Sequence, residues 1–237
     1  MYPSPKTPRI LSQGGVAIGV PSSGTMGNNG ALSALTALPT TYSGGIYLYF
    51  PANAIAAGVA AGLYYCIMSS TTAGTVYNNT YTSGVPTAPA SPTAFSTTGP
   101  GAYTQTTGVD ITLRSDPILG GTMGPNGSIR AIPLFVYNNT VGNKTHGVKL
   151  STAYFAFVVT TTSVSIQYNV LIGNSGSQSY QTALGAGLAG VGFGATASVI
   201  VGTIDTSVTQ SLTHFGNLQT ATDFIILGRT IIEVLPS

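Results

Sequence analysis

The sequence contains very little charge. Only 5% of its 237 residues are Asp, Glu, Lys or Arg, against about 25% in an average soluble protein, and none of the four occurs from Ile10 to Val109. The chain also has no basic patch of the kind that binds nucleic-acid phosphates, so we predict no nucleic-acid partner. A surface of hydroxyls and amides suits a permanent assembly, whose solubility does not depend on charge repulsion between free copies.

Cysteine is equally scarce. Cys66 is the single cysteine, which excludes an intrachain disulfide. Its setting, GLYYCIMSS, predicts a small buried side chain on a strand. Cys66, His146 and His214 lack the paired spacing of metal ligands, so we predict no metal and no cofactor.

Carboxylates are too few and too scattered to predict catalysis. General acid–base chemistry needs a tuned pair of titratable groups, and no two acids or histidines form a motif by spacing. Asp110 and Asp116 flank Arg114, which predicts an exposed ion cluster. Asp223 is expected to satisfy backbone groups at the start of the last strand. With no Gly-x-Ser-x-Gly elbow either, we predict no catalytic residues and a protein that is not an enzyme.

One uncharged run is long enough to cross a bilayer. It covers residues 182–204, TALGAGLAGVGFGATASVIVGTI. The run is crowded with Gly, Ser and Thr, and it lacks a basic flank. We interpret it as a glycine-rich loop that leads into the strand SVIVGTI, and we predict no membrane insertion. The N-terminus lacks the long apolar core of a signal peptide.

What the sequence has in abundance is short runs rich in Val, Ile, Thr, Tyr and Phe, separated by Gly, Asn, Pro and Ser. Examples are GIYLYF (45–50), SIRAIPLFVYNN (128–139) and TDFIILGRTIIEVL (222–235). They predict an all-β fold, a jelly-roll-like β-sandwich over residues 21–237, with the Pro/Thr/Gly-rich stretch 82–108 as a long crossover within it. At most one short helix is expected, near 51–61, where Pro51 fits a first turn.

Residues 1–20 are predicted to be an extended docking arm that contributes little to the sandwich. Prolines disfavour helix and bias this segment to polyproline-like geometry. The segment GGVAIGV (14–20) could then add a strand to a partner's sheet edge. The candidate docking residues are Pro3, Pro5, Lys6, Pro8 and Arg9.

The tetrapeptide Tyr-Asn-Asn-Thr occurs twice, at 77–80 and 137–140. We expect it to end a strand, with its side chains satisfying backbone groups that the ladder has released. The uncharged Tyr and Asn side chains around both copies also suit contacts with sugar rings and hydroxyls. The candidate surface residues are Tyr77, Asn78, Asn79, Tyr81, Tyr137, Asn138 and Asn139.

Three stretches together resemble a domain of tailed-bacteriophage virion proteins. They are YFPANAIAAGVAAGLYYCIMSSTTAGTVYNNTYTSGVPTAPASPTAF with TGPGAYTQTTG, then GTMGPNGSIR with NNTVGNKTHGVKL, and finally ATDFIILGRTIIEVLP. The resemblance covers roughly residues 24–236 and rests on structural motifs that name no catalytic group. It implies a jelly-roll-like sandwich assembled as a homotrimer on the exterior of the virion.

Three functions follow as alternatives. The first is a trimeric fibre or adhesin, anchored to other virion proteins by the arm and contacting host surface carbohydrate. The second is a capsid decoration (cement) protein or head fibre. The third is a small polysaccharide hydrolase, which two paired carboxylates in one cleft would support. The position on the particle separates the first two.

Overall fold

The computed structural model describes residues 9–184, 199–220 and 222–235. Within these ranges the chain is all-β, and the only helix is a single 3₁₀ turn at Asn28–Gly30. The predicted all-β sandwich is confirmed.

The strands form two sheets. In chain order they are β1 (Arg9–Gln13), β2 (Ile18–Pro21), β3 (Ser23–Met26), β4 (Ala31–Ser33), β5 (Ile46–Phe50), β6 (Gly62–Met68), β7 (Gly74–Tyr81), β8 (Gly101–Thr104), β9 (Ile111–Ile118), β10 (Ser128–Tyr137), β11 (Lys144–Leu150), β12 (Ala153–Thr160), β13 (Ser165–Gln167), β14 (Val170–Asn174), β15 (Gln181–Leu184), β16 (Val199–Gly202), β17 (Gln210–Leu218) and β18 (Phe224–Leu235). The large sheet has the order β16-β15-β14-β10-β18-β2-β5-β6-β7-β4-β3-β8, with β1 also paired to β18 and β13 to β10. The small sheet has the order β12-β11-β17-β9.

The hydrophobic interior has two parts, one on each face of the large sheet. The inter-sheet core lies between the two sheets and contains side chains such as Leu113, Phe135 and Phe155. The N-terminal core lies on the opposite face and contains side chains such as Leu48, Phe50 and Tyr103. It closes because the large sheet curls over: Phe50 on β5 and Tyr103 on β8 pack edge-to-face at 5.4 Å, although four strands separate β5 from β8 in the sheet order.

Strand β18 contributes to both cores. Successive side chains of a strand point to opposite faces, so Ile225 and Leu227 enter the inter-sheet core, while Phe224 and Ile226 enter the N-terminal core. This explains why the strand begins with a continuous apolar run and not with alternation, as is typical of strands buried on both faces.

The helix expected near 51–61 does not form. Residues 51–61 are the loop of the hairpin whose strands pair Phe50 with Gly62. Asn53 adopts a left-handed φ of 62° and its side-chain oxygen accepts a hydrogen bond from the Gly58 amide at 2.9 Å. Such a residue interrupts a right-handed helix. The apolar pattern of the segment instead serves to bury Ile55 in the N-terminal core.

The N-terminal segment is extended, but its residues 9–20 belong to the sandwich. Strand β1 pairs antiparallel with the end of β18, and β2 lies between β18 and β5. Ile18 and Val20 are fully buried in the inter-sheet core. The expectation that this segment contributes little to the sandwich is therefore wrong for these residues, because GVAIGVP has the apolar content of an inner strand.

Candidate functional site

The first Tyr-Asn-Asn-Thr copy does not end a strand; it lies inside β7. Tyr77 and Tyr81 are half-buried against the inter-sheet core, and the side-chain oxygen of Asn79 accepts a hydrogen bond from the Thr93 amide at 2.7 Å. Tyr81 donates to the Gly84 carbonyl at 2.8 Å, and burial raises its pKa to about 12. These three side chains hold neighbouring segments in place.

The second copy leaves the end of β10. Tyr137 is buried, and its ring stacks on His146 with 5.6 Å between centroids. Asn138 accepts a hydrogen bond from the Phe224 amide at 3.0 Å and donates to the Thr222 carbonyl at 2.9 Å. The expected capping role is thus found at Asn138. Of the seven residues predicted for the surface, the exposed ones are Asn78 and Asn139.

Of the predicted docking residues, Arg9 lies at the start of β1, where it pairs with Val234. The other four lie outside the described residues. The same holds for residues 185–198 of the uncharged run, whose two ends form β15 and β16 and pair with each other. The docking role of the N-terminus stays a prediction.

The ion cluster expected at the surface around Arg114 is buried, which corrects that prediction. Arg114 on β9 is 1% exposed and makes two hydrogen bonds to Asp116, at 2.8 and 3.1 Å. The same guanidinium donates to the Gly14 carbonyl at 2.7 Å and to the Ser12 hydroxyl. It therefore ties the N-terminal segment to the small sheet. Asp110 takes no part in this cluster; its carboxylate contacts Lys149 at 2.8 Å.

A second buried pair joins Lys144 and Asp223, at 3.7 Å between Nζ and Oδ2. Lys144 Nζ also donates to the Thr140 hydroxyl at 2.7 Å and to the Gly142 carbonyl at 2.8 Å, and burial lowers the pKa of this lysine. The Asp223 carboxylate accepts hydrogen bonds from side chains of Asn138, Thr140 and Thr220. The carboxylate expected to satisfy backbone groups instead binds side chains and a buried ammonium.

Both histidines lie on the small sheet and are buried. His146 stacks on Phe135 at 4.3 Å, and Nδ1 lies 3.3 Å from the Tyr168 hydroxyl. His214 Nε2 lies 3.1 Å from the Thr230 hydroxyl. Burial lowers the pKa of each imidazole to about 3, with Arg114 adding to the effect at His214. Both rings are neutral at pH 7.

One concave site opens beside the hairpin loop 51–61. It is a cleft of about 250 Å³, and its lining includes Tyr49, Pro51, Gln105, Thr106 and Val109. Gln105 is 4% exposed, and its side-chain Nε2 has no hydrogen-bond partner within the described part of the chain. No pattern in the stretch AYTQTTG pointed to this residue, because a single glutamine after a strand carries no sequence signature.

One face of the large sheet presents apolar side chains to solvent. Register places Ile10, Glu233, Arg130 and Leu171 side by side across β1, β18, β10 and β14, on the face away from the inter-sheet core. Ile10 is 53% exposed and Leu171 47%. Val201 on β16, 52% exposed, is offset from them by two residues and lies on the same face. Arg130 and Glu233 form a half-buried ion pair in its middle. We call these five side chains the outer row.

Comparison with known protein families, curated proteins and solved structures finds no match for this chain. Within the described ranges, no three His, Cys, Asp or Glu side chains come together in a way that could hold a metal ion. No helix in those ranges has the length and apolar character needed to span a membrane.

Proposed function

We propose that this chain is a non-enzymatic structural protein of a bacteriophage virion, a homotrimeric surface protein of the fibre or adhesin type. The observation that carries the proposal is the outer row, in which three exposed apolar side chains accompany the half-buried Arg130–Glu233 pair on a chain with few charges. Exposed apolar faces and strand edges of this kind are typical of surfaces that copies of a chain cover in an assembly.

The position of the charged side chains supports an assembly role. Arg114 with Asp116 and Lys144 with Asp223 are held inside the fold, where they fasten segments to one another. Their carboxylates are occupied by structural partners, so they offer no free acid or base to a substrate. The charge-poor remainder of the surface suits contact with other virion proteins and with host carbohydrate.

The trimer is tested by sedimentation of the purified chain. We expect a single species of three times the 24.0 kDa chain mass. Salt should change it little, because the interface depends mainly on apolar contact and the Arg130–Glu233 pair within it is half-buried and weakly screened. Leu171→Arg should dissociate it, since a charge would be buried in the interface. The matched control is Val141→Arg at a side chain 89% exposed, which should remain trimeric. A wild-type monomer at micromolar concentration would refute the assembly.

The place on the particle is tested by immunogold electron microscopy with an antibody against the folded chain. Gold at the tail supports the fibre or adhesin, whereas gold distributed over the capsid supports the alternative of a decoration protein or head fibre. Absence of the chain from purified virions would refute both.

A further inference from the structure

We propose that the outer row of one copy packs against a second, different surface of the next copy, and that Arg229 forms an ion pair with Asp205 across this interface. The inference rests on the proposed homotrimer and names the surface that completes it. A ring of three copies needs two unlike patches on every chain, because its interfaces are heterologous and repeat head to tail. The outer row supplies one patch, and the other must lie elsewhere on the chain.

The first argument is the distribution of the negative charges. The acidic side chains of the chain are Asp110, Asp116, Asp205, Asp223 and Glu233. Four of them form ion pairs inside the fold, each with a different lysine or arginine. Asp205 is exposed and forms no ion pair within the described part of the chain. Its Oδ1 accepts hydrogen bonds from the amide and the hydroxyl of Ser207, at 2.9 and 2.5 Å. Its Oδ2 accepts none from the described residues and is available to a partner.

The second argument is the position of the positive charges. Among the described residues, the cations that form no ion pair are Arg9 and Arg229, and both are exposed. Arg229 lies on β18 four residues before Glu233 of the outer row. This even spacing places both side chains on the same face of the sheet. Arg9 directly precedes Ile10 of the outer row and therefore points to the opposite face. The outer face thus carries one unpaired cation, Arg229.

The third argument is the surface that surrounds Asp205. Three loops meet at one end of the sandwich, and each exposes an apolar side chain: Leu119 is 63% exposed, Val208 53% and Tyr180 42%. The backbone of Thr206 joins these loops, because its amide and its carbonyl bond to the other two, at 2.8 and 2.9 Å. We call Leu119, Tyr180, Asp205 and Val208 the end patch. Like the outer face, it combines three exposed apolar side chains with one unpaired charge, and the sign of that charge is opposite.

The two charges cannot meet within one chain. The residue after Asp205 is bonded to Asn174, which in turn is bonded to Gly127, just before β10 begins. Arg229 lies opposite Leu134, seven residues further along β10. At the rise of a strand this separation is about 20 Å, which exceeds the combined reach of the two side chains. The pair therefore forms between copies.

The apolar side chains on both patches decide how much the pair contributes. An ion pair in open solvent adds little to stability. Once the apolar side chains exclude water, the pair is screened weakly by salt, and it selects which patches meet because like charges across an interface are strongly unfavourable. The end patch is therefore matched to the outer face and not to another end patch.

Charge reversal tests the pair by sedimentation equilibrium of the full chain. Arg229→Glu sets two carboxylates against each other, and we expect the concentration at which half of the chains are monomeric to rise about a hundredfold or more. Arg9→Glu makes the same change of charge on the other face and should assemble like the wild type. The double variant Arg229→Glu/Asp205→Arg should recover the trimer. Circular dichroism melting checks that each variant is folded. Normal assembly of Arg229→Glu, or a folded double variant that stays monomeric, would overturn the proposal.

Thiol cross-linking tests the head-to-tail arrangement independently of charge. A chain that carries both Asp205→Cys and Arg229→Cys is treated with a short bismaleimide; the buried Cys66 is out of its reach. A heterologous ring should give covalent species up to a trimer and no larger on a denaturing gel, whereas each single variant should stay monomeric. Products that stop at a dimer would indicate a two-fold interface and, like the absence of any product, would overturn the proposal.

The proposed function and this interface fail in distinguishable ways. A wild-type trimer that tolerates Arg229→Glu keeps the trimer and loses the interface. A wild-type chain that sediments as a monomer loses both. A chain that is absent from virions, yet forms a trimer that Arg229→Glu dissociates and the double variant restores, loses the virion role and keeps the interface.

Discussion

The two cores of this molecule are stabilised by different chemistry. The N-terminal core is made of apolar side chains together with tyrosines and one thiol. The sheets around the inter-sheet core bury Arg114, Asp116, Lys144 and two histidines. The first part thus depends on apolar packing alone, and the second also depends on pairs that must stay together, since a single buried charge is strongly destabilising. The large sheet separates the two cores.

The largest effect is expected from deleting residues 1–20, because the deletion affects both cores. It removes β1 and three residues of β2, the strand between β18 and β5. It also removes Ser12 and Gly14, so Arg114 loses its hydrogen bonds to both. We expect loss of cooperative thermal unfolding by calorimetry. Deleting residues 1–8 alone is the control and should preserve the transition. A normal transition for the longer deletion would show that the cores do not depend on this segment.

Breaking a buried pair should be the next largest effect. Asp116→Leu leaves the Arg114 guanidinium buried without its carboxylate, and we expect a loss of about 3–5 kcal/mol in the free energy of unfolding. The double variant Arg114→Met/Asp116→Leu should recover most of it. Met68→Leu, a volume-conserving change in the N-terminal core, should cost less than about 1.5 kcal/mol. Chemical denaturation measures the free energy of unfolding of all three variants. Equal losses for Asp116→Leu and Met68→Leu would contradict the expected difference between the two cores.

Acid should lower the stability of the part of the molecule around the inter-sheet core. His146 and His214 have folded pKa values near 3 against an ordinary 6.5, so the unfolded chain binds protons below pH 6.5 that the folded chain does not. Stability is therefore complete above pH 6.5 and falls as the pH drops toward 3, by about 1.4 kcal/mol per pH unit for each histidine. His146→Phe should halve the slope of unfolding free energy against pH. A flat profile between pH 7 and 5 would contradict burial of the neutral rings.

The repeated tetrapeptide offers a smaller test within one chain. Asn138→Ala removes the bonds to Phe224 and Thr222 and should cost about 1–2 kcal/mol. Asn78→Ala changes an exposed side chain in the identical sequence context and should cost less than about 0.5 kcal/mol. Urea denaturation of both variants is the measurement. Equal losses of unfolding free energy would mean that the two asparagines stabilise the fold to the same extent.

Alkali should act on buried tyrosines of both cores and, at the lowest pH, on the single thiol of the N-terminal core. Burial raises the pKa of Cys66 above its ordinary 9.0 and that of Tyr103 above 10.0. The unfolded chain loses these protons first, so stability is complete below pH 9 and declines above it by about 1.4 kcal/mol per unit. Cys66→Ala should move the onset to about pH 10. The unfolding free energy of the variant should stay constant up to pH 10, as urea denaturation at a series of pH values would show, and a decline of the variant from pH 9 would contradict the prediction.

The sequence predicted the fold class well because its signal is local. Period-two runs such as SIRAIPLFVY and the buried setting of Cys66 depend on neighbours along the chain, and both predictions are confirmed. The error over the helix near 51–61 is local, whereas the errors over Arg114 and residues 9–20 concern partners distant in sequence. Arg114 meets Gly14 across 100 positions, and no pattern in the chain announces that contact. The same holds for the cleft, where Tyr49 on β5 and Gln105 just after β8 come from elements distant in sequence.

The identical Tyr-Asn-Asn-Thr segments show the same limit. Asn138 follows the end of β10 because the partner strand β18 begins at Phe224. Asn78 lies within β7 because the pairing of β7 with β6 continues as far as the pair Leu63–Tyr81. Where a ladder stops depends on the neighbouring strand and not on the tetrapeptide. The local sequence therefore predicts which side chains can cap a strand end, but it does not predict where the strand ends.

The central position of β18 has a consequence for the order of events during synthesis. Arg9 pairs with Val234 and Ile18 with Leu227, so the earliest strands wait for residues made after nearly all the others. A ribosome adds about 5–20 residues per second, and until β18 is made, β1 lacks the strand it pairs with and β2 is paired on its β5 side alone. Folding that depends on such distant pairings is slow and exposed to aggregation. The nascent chain thus has a period of vulnerability that ends when β18 emerges.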